Sequence, residues 1–236
     1  EIGRGSQGVA YYNMGDGYVY KIFYEFFDNE MVDEYDAEQI LKFRNVPNDT
    51  FAWAVDTLYV EGSLVGYKTP YIQDKTLNKH DPLTVNLEQF TNCLNRAKAD
   101  IELISKYNIL TFDIMYNILY GKKISIIDHL EYSISNDDYK SLYKNNNNNF
   151  DLEIYFFLVE GYFNEFVNSY SDLKELYSSK EEDVLVFLKL FKKYLSEYIG
   201  KPIVTLKDAK ECLNKNESIC FYQRELYQPI YKRLVK

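Results

Sequence analysis

The chain has 236 residues, 46% of them hydrophobic and 17% aromatic, which is enough apolar mass for a folded core and too much for a disordered tail. Its 27 Lys and Arg against 36 Asp and Glu leave a net charge of −9, the wrong sign for a nucleic-acid footprint, so no nucleic-acid partner is expected. The 3 cysteines, in no Cys-x-x-Cys pair, argue against a disulfide scaffold or zinc knuckle and for a reducing, cytoplasmic setting. The most apolar stretch, Ile154–Val159, is too short for a membrane span, and no signal peptide opens the chain. The first residue is not Met and lies almost inside the first motif, which reads as a piece of a longer protein.

Along the chain, the first third reads as strands. Val9–Tyr12, Tyr18–Phe23, Ala52–Val60 and Leu64–Ile72 are β-branched or aromatic runs separated by turn signals such as Gly15-Asp16-Gly17 and Glu61-Gly62-Ser63. One helix, Met31 to Phe43, is expected among them and stops before Pro47. From Leu87 the pattern turns helical: Phe90, Leu94, Ala97, Ile101 and Ile104 form one apolar stripe. Helices are also expected over Phe150–Val167 and Glu182–Ile199, the latter with Val184, Phe187, Leu188, Phe191 and Leu195 on one face. Two short strands, Ile118–Tyr120 and Ile124–Ile127, flank Gly121-Lys122-Lys123, and the polar run Asn145–Asn149 reads as a surface loop. The 2 histidines, His80 and His129, are isolated in sequence and read as structural residues.

Two constellations carry chemistry. Gly3-x-Gly5-x-x-Gly8-Val9 is followed by more strand rather than by the helix that a dinucleotide-binding motif requires. The chain then turns and returns as Tyr18-Val19-Tyr20-Lys21-Ile22-Phe23, which sets Lys21 inside an apolar strand, where a charge is costly unless paired. Glu34, Asp36 and Glu38 are the carboxylates offered by the helix that follows, and Glu38 is the first choice of partner. Further on, Asp113, Asn117 and Asp128 occur in the order loop Asp, Asn, short hairpin, Asp after an apolar strand. That order resembles the catalytic and metal sites of protein kinases, in which phosphoryl transfer needs a carboxylate to orient an acceptor hydroxyl and hard oxygen ligands for Mg²⁺; the resemblance implies Asp113 for the first task, and Asn117 and Asp128 for the second.

A glycine hairpin, a strand lysine and this loop resemble the eukaryotic-like protein kinase superfamily in a divergent, bacterial-type form, over about residues 1–160. The resemblance implies an α+β, two-lobed kinase-like fold: a small β-rich lobe with one helix, residues 1–72, and an α-rich lobe, residues 73–236. ATP with Mg²⁺ is then expected between them, under Gly3, Gly5, Gly8 and Val9. Leu64–Ile72 is similar to the strand leading into the family's hinge, which implies Thr69 as gatekeeper, the Pro70 carbonyl as acceptor and the Ile72 N–H as donor to the adenine. Asp151 matches the helix Asp that braces the family's catalytic loop.

Departures are visible too. Thr111-Phe112-Asp113 stands for His-Arg-Asp, which argues against control by activation-loop phosphorylation. Asn117 follows Asp113 by four residues rather than five, and Asp128-His129-Leu130 lacks the glycine of Asp-Phe-Gly. No Ala-Pro-Glu follows. The implied function is an ATP-dependent phosphotransferase acting on a Ser/Thr hydroxyl of a protein, with a shortened activation segment. The alternatives are a small-molecule kinase, since Asp128-His129-Leu130-Glu131-Tyr132 is similar to the metal segment of choline- and aminoglycoside-kinase-like enzymes, or a pseudokinase that binds nucleotide or acts as a scaffold.

Overall fold

In a computed structural model the chain is described over residues 1–5, 7–24, 35–180 and 182–215. Five strands, β1 (Gly3–Arg4), β2 (Gly8–Asn13), β3 (Tyr18–Phe23), β4 (Asp56–Val60) and β5 (Ser63–Pro70), form one antiparallel sheet in the order β1-β2-β3-β5-β4. The β2–β3 turn is shaped by side chains: Asn13 Oδ1 accepts from the Gly15 N–H, Asp16 Oδ1 accepts from the Tyr18 N–H, and Gly17 supplies a φ of 75°. The β4–β5 turn places Glu61 and Gly62 both at positive φ, the twist that matches a two-residue hairpin.

Two expectations change here. Between β3 and β4, the described helix is only α1 (Ala37–Leu41), with Asp36 Oδ1 capping the Gln39 N–H; residues 31–34, including Glu34, lie outside the described residues. The strand expected from Ala52 begins at Asp56, because Phe51, Ala52, Trp53 and Ala54 are all buried and show no one-sided alternation. These residues instead clamp the sheet to the rest of the molecule. The Ala52 N–H donates to the Ile126 carbonyl and the Ile126 N–H to that of Thr50.

The remainder is mostly helical, so the fold is α+β with a β-rich front and an α-rich back, as the sequence implies. After β6 (Lys75–Thr76) comes α2 (Leu87–Lys106), capped by Asn86, with Phe90, Leu94, Ala97, Ile101 and Ile104 buried on one face. Strand β7 (Ile109–Leu110) pairs with β10 (Ser133–Ile134). Between them, the hairpin of β8 (Ile118–Tyr120) and β9 (Ile124–Ile126) pairs with β6.

The run Asn145–Asn149 is not a loop. It lies inside α3 (Tyr139–Val159), where Asn146 is fully buried and fully hydrogen-bonded. The helix expected over Phe150–Val167 divides at Gly161, whose φ is 85°, and resumes as α4 (Asn164–Asn168). Helices α5 (Ser171–Ser179) and α6 (Val184–Ile199) follow, α6 with its expected stripe buried.

Two clusters of apolar side chains hold these parts. The larger lies among the helices and the β8–β9 hairpin. The smaller, Phe23, Ile40, Ala54, Tyr67 and Leu130, joins the sheet and α1 to the segment after Asp128. No helix among the described residues is long and apolar enough to cross a membrane.

Candidate functional site around Lys21, Asp113 and Asp128

Residues directly opposite one another in a sheet share a face, and successive residues alternate. Lys21 is opposite Ala10 and Tyr67, and Val19 is opposite Tyr12 and Thr69. One face therefore carries Ala10, Tyr12, Val19, Lys21, Tyr67 and Thr69, and that face meets Asp128. Lys21 Nζ lies 2.8 Å from both carboxylate oxygens of Asp128, and the Tyr67 hydroxyl donates to Asp128 Oδ1 at 3.3 Å. Thr69 is thus on the expected face. Val9 is not: it is opposite Ile22, on the other side of the sheet, and Ala10 holds the place given to it.

The three glycines differ in purpose. A Cβ on Gly8 would run into the Ile22 carbonyl of β3, so Gly8 permits close strand approach. At Gly3 and Gly5 a Cβ would meet nothing within 4 Å, so strand packing does not require glycine at either position.

The partner of Lys21 is Asp128, not Glu38. Glu38 is exposed on α1, and Asp36 is spent as the helix cap. Gln7, between the second and third glycines, completes the lysine's shell. Its Oε1 accepts from Lys21 Nζ at 2.9 Å, while its Nε2 donates to Glu131 Oε1 at 2.8 Å and to the Tyr35 hydroxyl at 3.0 Å. Burial and the neighbouring charge of Asp128 push the Tyr67 hydroxyl well above its ordinary value, so it remains a donor. Next to Asp128, burial lowers His129 to about 4. It is a neutral packing ring, edge-on to Trp53 and Tyr67, as expected for a structural histidine.

Asp113 is exposed at the start of a loop that α3 holds in shape. Asn146 Oδ1 accepts from the Thr111 N–H at 2.8 Å and the Thr111 hydroxyl at 2.9 Å. Asn149 Nδ2 donates to the Thr111 carbonyl at 3.0 Å, and Glu153 Oε2 accepts from the Tyr116 N–H at 2.9 Å. Positions 146, 149 and 153 lie on one helical face. Asp151, expected to brace this loop, points elsewhere: it pairs with Lys98 and accepts from the Val184 N–H, joining α2, α3 and α6.

The four-residue spacing does not separate Asn117 from Asp113, since Asn117 Nδ2 donates to the Asp113 carbonyl at 2.8 Å. The Asn117 carbonyl in turn accepts from the Ile127 N–H, which sets Asn117 beside Asp128 at the open end of the β8–β9 hairpin. Asp113, Tyr116 and Asp128 have φ values of 49°, 68° and 62°. Left-handed backbone at non-glycine residues costs of order 1 kcal/mol each and concentrates where function demands a geometry.

Pro70 ends β5, and Ile72 follows it, half-buried. Between them the Tyr71 ring stacks on Tyr12 at 3.9 Å. Sequence reading missed Gln7, Tyr12, Tyr67 and Tyr71 at this site; Glu131, expected in an acidic metal segment, instead holds the Gln7 amide. Strand alternation from Lys21 could have found Tyr12 and Tyr67; nothing local marks Gln7.

No group of three or more His, Cys, Asp or Glu among the described residues makes a ready metal cage. Asp128 and the free oxygen of Asn117 fit a Mg²⁺ of the kind that keeps its water and phosphate ligands and takes one or two from protein. A 350 Å³ concavity lined by Asn86, Gln89, Asn92, Cys93, Arg96 and Lys122, among others, shares no residue with this network.

No protein-family model matches the sequence, and no curated protein matches it. Among solved structures, the chain is similar to the kinase domain of Mycobacterium tuberculosis PknI, at 10% identity and a TM-score of 0.49, over 89% of this chain and 91% of that one.

Proposed function

We propose that the protein is an ATP-dependent phosphotransferase of protein-kinase-like type, with residues 1–72 covering the nucleotide and residues 73–236 carrying the catalytic loop. The observation that supports this most directly is the pairing of Lys21 with Asp128, 107 residues away in sequence, on a segment whose Ile127 N–H holds Asn117, which in turn holds the Asp113 carbonyl. Lys21 binds phosphate oxygens once they compete for it. Asp128 and Asn117 would hold Mg²⁺, which would supply neutralisation of the charge on the phosphates. Asp113 orients the acceptor hydroxyl and takes its proton as the oxygen bonds to the γ-phosphorus and the bond to ADP breaks. Tyr71, Pro70 and Ile72 offer the adenine a ring and a backbone edge.

The short segment after Asp128 bears on the acceptor. Residues 129–138 are all that separate Asp128 from α3, and part of that span is taken by β10 pairing with β7. This leaves little room for a platform that docks an extended peptide, which favours a compact hydroxyl acceptor over a Ser/Thr side chain in a long substrate. The pseudokinase reading draws on the Lys21–Asp128 pair, which must open before either residue can serve a nucleotide.

The test is a titration with ATP and Mg²⁺, followed by transfer of γ-label to small alcohols and to a generic protein. A ligand at a hundredfold excess over its Kd raises stability by about 2.7 kcal/mol. No thermal shift at millimolar ATP would remove the enzyme and the nucleotide-binding pseudokinase and leave only a scaffold. A shift without transfer leaves the pseudokinase.

A further inference from the structure

We infer that Gln7 is the positioning residue for Lys21, taking the place that a helix carboxylate was expected to fill. This rests on the phosphotransferase reading and extends it to a residue that lies in the glycine loop itself. Lys21 sits in a strand, 13% exposed, and its ammonium has two kinds of oxygen partner: the carboxylate of Asp128 and the amide oxygen of Gln7. Asp128 is the residue best placed to hold Mg²⁺. When a metal claims that carboxylate, the lysine loses its charged partner and would be free to rotate.

Gln7 is built to prevent that. Its amide cannot swivel away, because Nε2 is held by Glu131 at 2.8 Å and by Tyr35 at 3.0 Å, and Tyr35 itself donates to Glu131 at 3.1 Å. The Gln7 carbonyl also accepts the Tyr24 N–H, anchoring the loop's backbone to the end of β3. The amide oxygen is therefore presented to Lys21 by three contacts from outside the metal site. A glutamine suits this better than a glutamate would: it donates to Glu131 on one side and accepts from Lys21 on the other, and it leaves the lysine its full charge for phosphate. Glu131 thus acts on Lys21 at one remove, through the Gln7 amide.

The experiment has two readouts on the same folded proteins. The first needs no nucleotide: acylation of Lys21 by an amine-selective ester, followed by mass spectrometry. Gln7→Leu should label several-fold faster than parent, with the melting temperature nearly unchanged. The second is the Kd for Mg·ATP, which should weaken about tenfold, the worth of one hydrogen bond to a charged group. The double variant Gln7→Glu/Glu131→Gln, which exchanges donor and acceptor across the bridge, should restore the slow labelling toward parent while Mg·ATP affinity stays weaker, because the new carboxylate competes with phosphate for Lys21. Should Gln7→Leu fail to fold, Tyr35→Phe with Glu131→Ala frees the amide from its anchors and must give the same two changes.

Unchanged labelling and unchanged affinity in folded Gln7→Leu would overturn the inference. So would tighter Mg·ATP binding, since Gln7 would then be a clasp that holds the cleft shut. A parent that binds no Mg·ATP would sink the phosphotransferase reading instead, and the labelling rates would still decide whether Gln7 orients Lys21.

Discussion

Asn146 of helix α3 accepts hydrogen bonds from both the backbone N–H and the hydroxyl of Thr111, two residues before Asp113, and its own amide donates to Ser105 Oγ at 2.9 Å and the Ile109 carbonyl at 2.8 Å. All four contacts are buried. A single side chain therefore ties the end of α2, strand β7 and the entry to the Asp113 loop, and it does so from the middle of a run of five asparagines. A helix interior is an indifferent place for Asn by propensity, so the residue is there for its two-sided amide.

Asn146→Leu keeps the volume and removes all four bonds. Each stranded buried partner costs roughly 1–3 kcal/mol, so a loss of about 3 kcal/mol or more is expected in urea unfolding. Asn145→Leu in the same run, at an exposed position, should change stability by less than about 0.5 kcal/mol, because a surface substitution on a helix rarely does more; equal losses at the two positions would show that the bracing is not specific to Asn146.

The glycines separate in the same way. Gly8→Ala forces a methyl group into the Ile22 carbonyl of the adjacent strand, and backbone cannot retreat as a side chain can. We expect a clear loss of stability with or without nucleotide. Gly5→Ala meets open space, so the apo melting temperature should hold while the affinity for Mg·ATP falls. A Gly8→Ala protein that melts with the parent would contradict the strand-packing role.

Much of this was legible in advance, and the failures have physical causes. The β2–β3 hairpin, the Lys21 strand, the stripes of α2 and α6 and the β8–β9 hairpin follow from periodicity and turn chemistry, which are local. Glu38 failed as the partner of Lys21 because pairing across the cleft is decided by tertiary approach: Asp128 is 107 residues away in sequence. Composition is silent on burial, so Asn145–Asn149 reads as a loop, yet a polar run is helical when its amides find partners. Val9 directly follows the last glycine of the motif, but a shift of one residue in a strand moves a side chain to the other face. The buried lysine at position 98 gave no sequence signal at all, since it sits in a helix full of ordinary polar residues.

Lys98 is 5% exposed, and its Nζ lies 2.6 Å from Asp151 Oδ1 and 3.1 Å from Asp183 Oδ2. Burial raises the Asp151 carboxyl to about 6, with Lys98 opposing the rise. A carboxyl raised in the folded state favours folding most when protonated, so its contribution is full below the ordinary value of 3.8 and is lost as pH climbs through 6. Lys98→Met takes away the opposing charge and leaves the carboxylate buried with less compensation. The variant should lose about 3 kcal/mol at neutral pH and less at pH 4.5, where Asp151 can take a proton. Chemical denaturation at the two pH values checks this; a deficit that grows on acidification would mean that Lys98 is not compensating Asp151.

Asp113 divides enzyme from pseudoenzyme. Its carboxylate is exposed, its φ is 49°, and its backbone carbonyl is the atom that Asn117 holds. The contact that shapes the loop is thus made by the main chain, and the side chain is left for chemistry. Asn tolerates left-handed backbone as well as Asp does, so Asp113→Asn should preserve the loop, the Asn117 contact and the melting temperature. It removes only the ability to take a proton, a role worth about 10²–10⁴-fold in rate. We expect Mg·ATP affinity within a few-fold of parent and transfer of γ-label reduced by about two orders of magnitude or more, mostly in kcat. If Asp113→Asn transfers label as fast as parent, the proton goes elsewhere and Asp113 is a loop residue. If its rate falls together with its melting temperature, the loss is structural, and Asp113→Glu, which keeps the proton acceptor on a longer arm, then decides: partial recovery of rate without recovery of stability keeps the catalytic role, and recovery of neither removes it.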